Sequence, residues 1–472
     1  MKRSVCNTKS TRPLAEHNKV TDEVFAPECH LLEINSKSGL YPLYLAYNLY
    51  RRACKDAMFS PQTLDEHLAI WDKVVSESIF VICKTPMAKA ITRRTLMGFR
   101  KGSVNMWAPE DLINKIKNQP KLFIKKVHDL VGKDVKINAI VGNPPYQETL
   151  EAGRSLAKQL FPIFVEIGIK LAPNYFSLIT PSRWFTADAQ DNSFPKLREF
   201  AKKHNHFSII VTHNGKKLFP NTELSMVDYF LWDKEYVGKT NFIEHISDTP
   251  YSLHRPLFEN GLDIIIPQNN IVSIIHKIQS LDFTPLNTIT SGRDAFGIVG
   301  KNIENKSKSE PFDGSVKVLC AYEQIRYVPK SSVSKGLDFF NSYKVFTSKG
   351  NGGAGLLTDG KPVAILGKSF VGSPNMVCTD SLIPFGKFSS KGEADNLQKY
   401  MTSKFLRFCV GILKVSQNLY QNVYSFVPLQ DFTANSDIDW SRSVADIDRQ
   451  LYAKYRLTDD EIAFIESMIK PM

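Results

Sequence analysis

The stretch Ala139-Ile140-Val141-Gly142-Asn143-Pro144-Pro145-Tyr146-Gln147 constrains this chain more than any other. Three apolar residues and a glycine read as a short buried strand that stops abruptly in a stiff loop. Each proline lacks an N–H and fixes its own φ near about −65°. Each also holds the residue before it, Asn143 and then Pro144, in extended backbone. The result is a rigid loop at a strand's carboxyl end that presents an amide, an unpaired carbonyl and an aromatic ring. In open α/β sheets that edge is where ligands bind.

Those three groups suit one chemical problem, making a planar exocyclic amine nucleophilic. The Asn143 side-chain oxygen and the Pro144 carbonyl can each accept a hydrogen bond from an –NH₂ group, which draws the nitrogen lone pair out of conjugation. Tyr146 can stack on the ring that bears the amine, as aromatic side chains do with extruded bases. The plain alternative is a strand-ending turn, for which Asn-Pro and Pro-Pro are ordinary residues. On these residues the chain resembles the amino-methyltransferases that use S-adenosylmethionine, most closely the N6-adenine DNA methyltransferases of restriction–modification systems. The resemblance implies catalytic roles for Asn143, Pro144, Pro145 and Tyr146.

Ahead of this loop, His30-Leu31-Leu32-Glu33-Ile34 is a short strand that runs into Asn35-Ser36-Lys37-Ser38-Gly39 and then a helix with Leu43, Ala46, Tyr47 and Tyr50 at helical spacing. A strand, a small-residue loop and a helix N-terminus can cradle a cofactor. The resemblance implies that this is the S-adenosyl-L-methionine loop, which the family writes Asp-Pro-x-x-Gly-x-Gly. Glu33 takes the acidic place, Lys37 replaces the first glycine, and Gly39 is the second. Glu33, Asn35, Ser38 and Gly39 are the implied cofactor contacts. The family also ends its second strand on an acidic residue that holds the ribose hydroxyls; Cys83 and Lys84 stand there, after Ile79-Phe80-Val81-Ile82. Past a third strand at Val104-Asn105-Met106, Asp111 is a candidate for the cofactor's adenine amine, with an exposed helix-start carboxylate as its plain reading.

An amphipathic helix is expected over Leu156–Ala172, then a strand at Tyr175–Thr180 leading to Pro181-Ser182-Arg183-Trp184-Phe185. The resemblance puts Arg183 and Trp184 on the rim of the target-base pocket. Strands at Phe207–Val211 and Ser225–Trp232 complete the set, with Lys216 and Lys217 between them as candidate phosphate contacts. Strands alternating with helices argue for a doubly wound α/β sheet, here mostly parallel and Rossmann-like, with the last two strands as an antiparallel edge hairpin. The expected organisation is an N-terminal arm (1–27), a catalytic domain (28–245), a connecting segment (246–281), an irregular α+β target-recognition domain (282–435) and a helical tail (436–472). The segment from Ile264 to Ile278 reads as one apolar element with a helix start at Pro267-Gln268-Asn269-Asn270.

In the second domain, Val316–Cys320, Tyr343–Phe346 and Val363–Leu366 read as strands. The glycine-rich run from Gly350 to Gly355 does not have the spacing of a phosphate loop. Arg293 and Lys349 are candidate DNA contacts, and Asn418 and Tyr420 lie in an amide- and aromatic-rich stretch able to read base edges. Thr458-Asp459-Asp460-Glu461 is a capping box for a last amphipathic helix.

A net charge of +12 over 472 residues fits a polyanionic partner such as double-stranded DNA. The seven cysteines are scattered and form no C-x-x-C pair, so neither a zinc site nor a disulfide framework is expected. No apolar run reaches the about 18 residues of a membrane span, and a cytoplasmic location is expected. The expected activity is site-specific methylation of adenine N6, with cleavage left to a separate restriction endonuclease chain. Two other readings stand beside it. One is a non-catalytic DNA-binding or specificity subunit on a degenerate methyltransferase fold; the other is an RNA or protein-glutamine methyltransferase.

Overall fold

The computed structural model describes residues 20–56, 61–148, 158–187, 189, 191–221, 224, 226–245, 249–351, 355–356, 362–414 and 417–472. The chain divides into two compact units, one ending at Ile265 and the other running from Ile266 to Met472.

The first unit is built on strands β1 (Leu31–Ser36), β2 (Ile79–Cys83), β3 (Asn105–Trp107), β4 (Ala139–Gly142), β5 (Tyr175–Pro181), β6 (Phe207–Asn214), β7 (Met226–Asp233), β8 (Thr240–His245) and β9 (Tyr251–Arg255). They form one nine-stranded sheet in the order β3-β2-β1-β4-β5-β7-β6-β8-β9. The first five in that order are parallel, and β7 runs antiparallel between β5 and β6. Both β1 and β2 are buried along their whole length, as strands covered on both faces must be.

Alternation then sorts their side chains into two cores. Leu31, Ile79, Val81 and Cys83 pack with helices α1 (Leu40–Asp56), α2 (Leu64–Glu77) and α3 (Pro86–Met97). Leu32, Ile34, Phe80 and Ile82 pack with α4 (Leu112–Asn118), α5 (Pro120–Val131), α6 (Phe161–Lys170) and α7 (Ser193–Lys203) on the other face. The doubly wound α/β reading therefore holds.

In and around this unit, three details differ from the sequence reading. The β6–β7 hairpin is not an edge, because β8 pairs parallel to β6 and β9 closes the sheet beyond it. Those strands are short and polar on one side, which hid them. Residues 20–27 are no loose arm: Val20, Val24 and Phe25 are buried in the α1–α3 core, while residues 1–19 lie outside the description. Segment 246–281 is more than a connector, since β9 belongs to the first unit and α8 (Asn269–Gln279) to the second.

The second unit holds two small sheets, β11-β10-β14 and β13-β12-β15, made from β10 (Ser315–Leu319), β11 (Ile325–Pro329), β12 (Tyr343–Ser348), β13 (Phe370–Gly372), β14 (Met376–Cys378) and β15 (Leu382–Phe388). Phe296, Val316, Val318, Phe346 and Val377 are among the residues of its core. Val363–Leu366 forms no strand; Val363 makes a single bridge to Ile469.

Helices α9 (Lys391–Thr402), α10 (Lys404–Leu413), α11 (Val444–Lys454) and α12 (Asp459–Met468) complete it. The 436–472 stretch is integral rather than a tail: Asp448 of α11 accepts from the Lys404 and Phe405 backbone N–H groups at 3.0 and 2.9 Å, capping α10. The Thr458–Glu461 capping box forms as read.

Candidate functional site

The loop after β4 is held from the neighbouring strand. Gly142 ends β4 so close to β1 that a Cβ there would lie 2.7 Å from the Ile34 carbonyl oxygen. No other residue fits without moving a strand. Directly after it, the Asn35 amide Nδ2 donates to the Asn143 carbonyl at 2.9 Å. Asn35 does this from the left-handed region, at φ +77°, which Asn tolerates better than other non-glycine residues. Pro144 is buried, while Asn143, Pro145 and Tyr146 are half-buried.

Burial, with the charge of Glu33 adding, pushes the phenol of Tyr41, in the first turn of α1, up to about 12, while Asn143 pulls it down. The Tyr146 ring sets its edge against Phe161, at 6.4 Å between centroids and 84°. Its hydroxyl is buried without a partner. Burial, with the charges of Asp228 and Tyr41 adding, holds that phenol well above its usual range.

The loop after β1 is braced by α3. Ser36 Oγ lies 3.1 Å from Thr92 Oγ1, Thr95 Oγ1 donates to the Ser38 carbonyl at 2.6 Å, and the Lys84 N–H reaches the Ser36 carbonyl at 2.9 Å. Gly39, at φ +77°, passes so near α3 that a Cβ would lie 2.9 Å from Thr92 Cα. Two polar atoms here are buried and unpartnered, Glu33 Oε2 and Asn35 Oδ1. Burial lifts the Glu33 carboxyl to about 7, against Ser36 and Lys37, which pull it down.

A carboxylate and an amide oxygen left waiting at the end of β1 suit a ligand that brings ammonium or hydroxyl donors. At the end of β2, Cys83 is buried and its thiol is pushed up to about 11 chiefly by burial. Ser38 is exposed. Asp111 is exposed and caps α4, accepting from the Asn114 N–H at 3.1 Å.

Asp228 is a participant the sequence reading passed over. It stands near the start of β7, opposite Thr180 of β5 and Thr212 of β6, and is 0% exposed. Thr180 Oγ1 donates to its Oδ2 at 2.8 Å; Oδ1 has no partner. Burial raises this carboxyl to about 7, although Thr180, Ser182 and Trp184 pull it down. Its only sequence signal is a lone carboxylate inside the apolar strand Met226-Val227-Asp228-Tyr229-Phe230.

The same arrangement corrects one expectation. Trp184 is 2% exposed and packs edge-on against Phe185 at 5.1 Å, so it has no surface to offer at a pocket rim. Arg183 beside it is exposed. The side chains of Lys216 and Lys217 are exposed too, on a single helical turn capped by Asn214.

In the second unit, candidates far apart in sequence converge. The Asp380 carboxylate takes Lys349 Nζ at 3.1 Å and Arg293 Nη2 at 3.9 Å, and accepts the Gly300 N–H at 2.8 Å. Burial acts to raise Asp380, but these partners outweigh it and hold the carboxyl below its usual range. Asn418 pairs with Gly350 as a β-bridge, and the Leu419 N–H donates to the Lys349 carbonyl at 2.8 Å. That brings Asn418 and the exposed Tyr420 beside Lys349. Part of the glycine-rich run, residues 352–354, lies outside the described residues, as does Lys361.

Among the described residues no group of three or more His, Cys, Asp or Glu side chains is placed to hold a metal ion. Among them, too, no helix is long and apolar enough to cross a membrane.

Residues 77–219, from just before β2 to just past β6, match the Eco57I restriction-modification methylase family. An uncharacterized adenine-specific methylase of Mycoplasma pneumoniae is 29% identical over 175 residues, which cover 34% of this chain and 41% of that protein. The aligned part thus spans about two fifths of that relative's length. The structure of the type IIL restriction-modification enzyme MmeI in complex with DNA superposes with a TM-score of 0.50 at 10% identity, covering 96% of this chain and 76% of MmeI. At that identity the likeness is one of fold.

Proposed function

We propose that this chain transfers a methyl group from S-adenosyl-L-methionine to N6 of an adenine flipped out of duplex DNA, as the modification activity of a restriction–modification system. The observation that carries the reading is the junction of the two loops: Asn35, on the loop after β1, grips the Asn143 main chain at 2.9 Å. The amine-positioning loop and the cofactor-type loop are thereby fixed on one sheet edge.

When bound, the cofactor supplies a methyl group on a sulfonium, already electrophilic enough to need no metal. The buried polar atoms of Glu33 and Asn35 would hold it, with the loop's shape kept by Gly39 and α3. The chain's own residues do the rest. Asn143 Oδ1 and the Pro144 carbonyl accept hydrogen bonds from the target amine and free its lone pair. Tyr146 stacks on the base, and Pro145 keeps the loop stiff. The base must leave the duplex, because N6 within the stack cannot reach a cofactor on the sheet edge. Arg293, Lys349, Asn418 and Tyr420 of the second unit supply phosphate affinity and base readout, with Arg183, Lys216 and Lys217 as further phosphate contacts. A restriction endonuclease would be a separate chain, and host DNA in the cytoplasm the substrate.

The test is incubation with radiolabelled S-adenosylmethionine and DNA lacking adenine methylation, with Asn143→Ala alongside. Labelled N6-methyladenine that disappears in the variant supports the assignment. Tight DNA binding with no label at saturating cofactor would replace it with a specificity subunit.

A further inference from the structure

We infer that Tyr322 is a wedge: its ring inserts into the base stack of the bound duplex, from a hairpin turn that stands beside the second unit's cations. The inference rests on the methyl-transfer reading above, which makes duplex DNA the partner. Extruding a base unstacks its neighbours, and an inserted ring offsets part of that loss. A neutral ring also acts independently of salt, unlike the phosphate contacts proposed for Arg293 and Lys349.

Strands β10 and β11 pair antiparallel as far as Leu319 and Ile325. Beyond them the Cys320 N–H donates to the Gln324 carbonyl at 2.8 Å, and the Gln324 N–H to the Ala321 carbonyl at 3.4 Å. The two central residues, Tyr322 and Glu323, stand at φ +57° and +61°. That is the left-handed pair of a type I′ turn, whose usual residues are Asn and Gly. A bulky aromatic there is disfavoured by its own Cβ. Burial offers no compensation, since Tyr322 is 95% exposed. A strained position that presents a ring to solvent points to a partner that the ring engages.

The place of the turn identifies that partner. β14 pairs parallel to β10, with Cys378 opposite Leu319, so both strands stop at the same end of their sheet. There β10 enters the Tyr322 turn and β14 enters Thr379 and Asp380, with the Thr379 N–H donating to the Leu319 carbonyl at 3.0 Å. Asp380 gathers Lys349 at 3.1 Å and Arg293 at 3.9 Å. The exposed Lys368 reaches Glu323, within the turn itself, at 3.4 Å. Three cations and one exposed ring thus share a sheet end, the composition with which nucleic-acid surfaces meet phosphate and base together.

Three substitutions in the full chain test it, on a duplex carrying the methylated site mapped by the labelling assay above. Tyr322→Gly suits the positive φ, so its melting temperature holds or rises. Its affinity for the duplex falls about tenfold to a hundredfold, the scale of losing one stacked ring, with the salt slope unchanged. Tyr322→Phe keeps the ring and stays within about twofold of the unsubstituted affinity. In Tyr322→Trp, the fluorescence gained over the unsubstituted protein is quenched by the duplex and shielded from acrylamide.

A Tyr322→Gly affinity within about twofold of the unsubstituted protein overturns the inference and leaves the methyl-transfer reading standing, as does a loss that lowers the salt slope with it. An introduced tryptophan that stays bright and open to acrylamide on the duplex overturns it too. If the unsubstituted protein labels no DNA, the functional reading has failed and takes this one with it.

Discussion

The residues proposed to address the amine are consecutive, Asn143 to Tyr146, whereas the candidate DNA contacts of the second unit are scattered from Arg293 to Tyr420 and meet around Asp380 and the Gly350–Asn418 bridge. The contrast follows from what each must do. Orienting one amine needs a few atoms fixed within a fraction of an ångström, and two prolines on a strand end achieve that locally. Reading a duplex needs cations and amides spread over an area, which separate segments supply by packing.

Breaking the compact region should do the most damage. Asn143→Ala is expected to lower methyl transfer by about a thousandfold, the scale seen when one preorganised polar group is removed from a reacting centre. Thermal melting and cofactor binding, measured alongside, should move little. An active variant would mean that the amine is held elsewhere.

Asp228 tests whether the same region carries strain beneath it. Burial holds its carboxyl at about 7, so the folded protein keeps a proton that the unfolded chain has already lost. Stability from this source is complete below about pH 4 and drains away as pH rises to about 7. Asp228→Asn removes that dependence and should gain on the order of 4 kcal/mol at about pH 8, with the difference closing toward pH 4. Denaturant titrations of both proteins at the two pH values would read it, and a difference independent of pH would show the carboxyl to be ionised throughout.

Effects in the dispersed region should be shared. Arg293→Ala or Lys349→Ala is each expected to weaken DNA binding by about tenfold and to reduce the salt slope by about one, with the rate at saturating DNA unchanged. Asp380→Asn should act in the opposite direction, because it releases both cations. If either alanine variant abolished catalysis at saturation, the division between the two regions would fail.

The smallest effect is expected at Asp111. As an exposed helix cap its replacement by Ala should cost about 1 kcal/mol or less of stability. Calorimetric cofactor affinity should stay put, and a large loss there would restore the adenine-binding role that the resemblance implied.

The legible part of this protein is the part whose signals are local. Fully apolar runs such as Ile79–Cys83 announce buried parallel strands, and Gly142 before Asn-Pro-Pro-Tyr announces a strand that ends against another. The illegible part depended on neighbours from elsewhere in the chain. Trp184 reads as an aromatic at a rim, and only its packing within the core, edge-on to Phe185, removes it from solvent. Val20 and Phe25 read as part of a polar arm until helices α1 to α3 are seen to need them as core.

By itself the sequence determined a doubly wound sheet and a rigid Asn-Pro-Pro-Tyr loop on its fourth strand, because proline stiffness and strand burial act within a few residues. Tertiary structure decided what completes that loop. Asn35 comes to Asn143 from a strand about a hundred residues away, and Asp228 comes from an antiparallel strand inserted later. Hydrogen bonds and desolvation depend on distance in space, which no local pattern encodes.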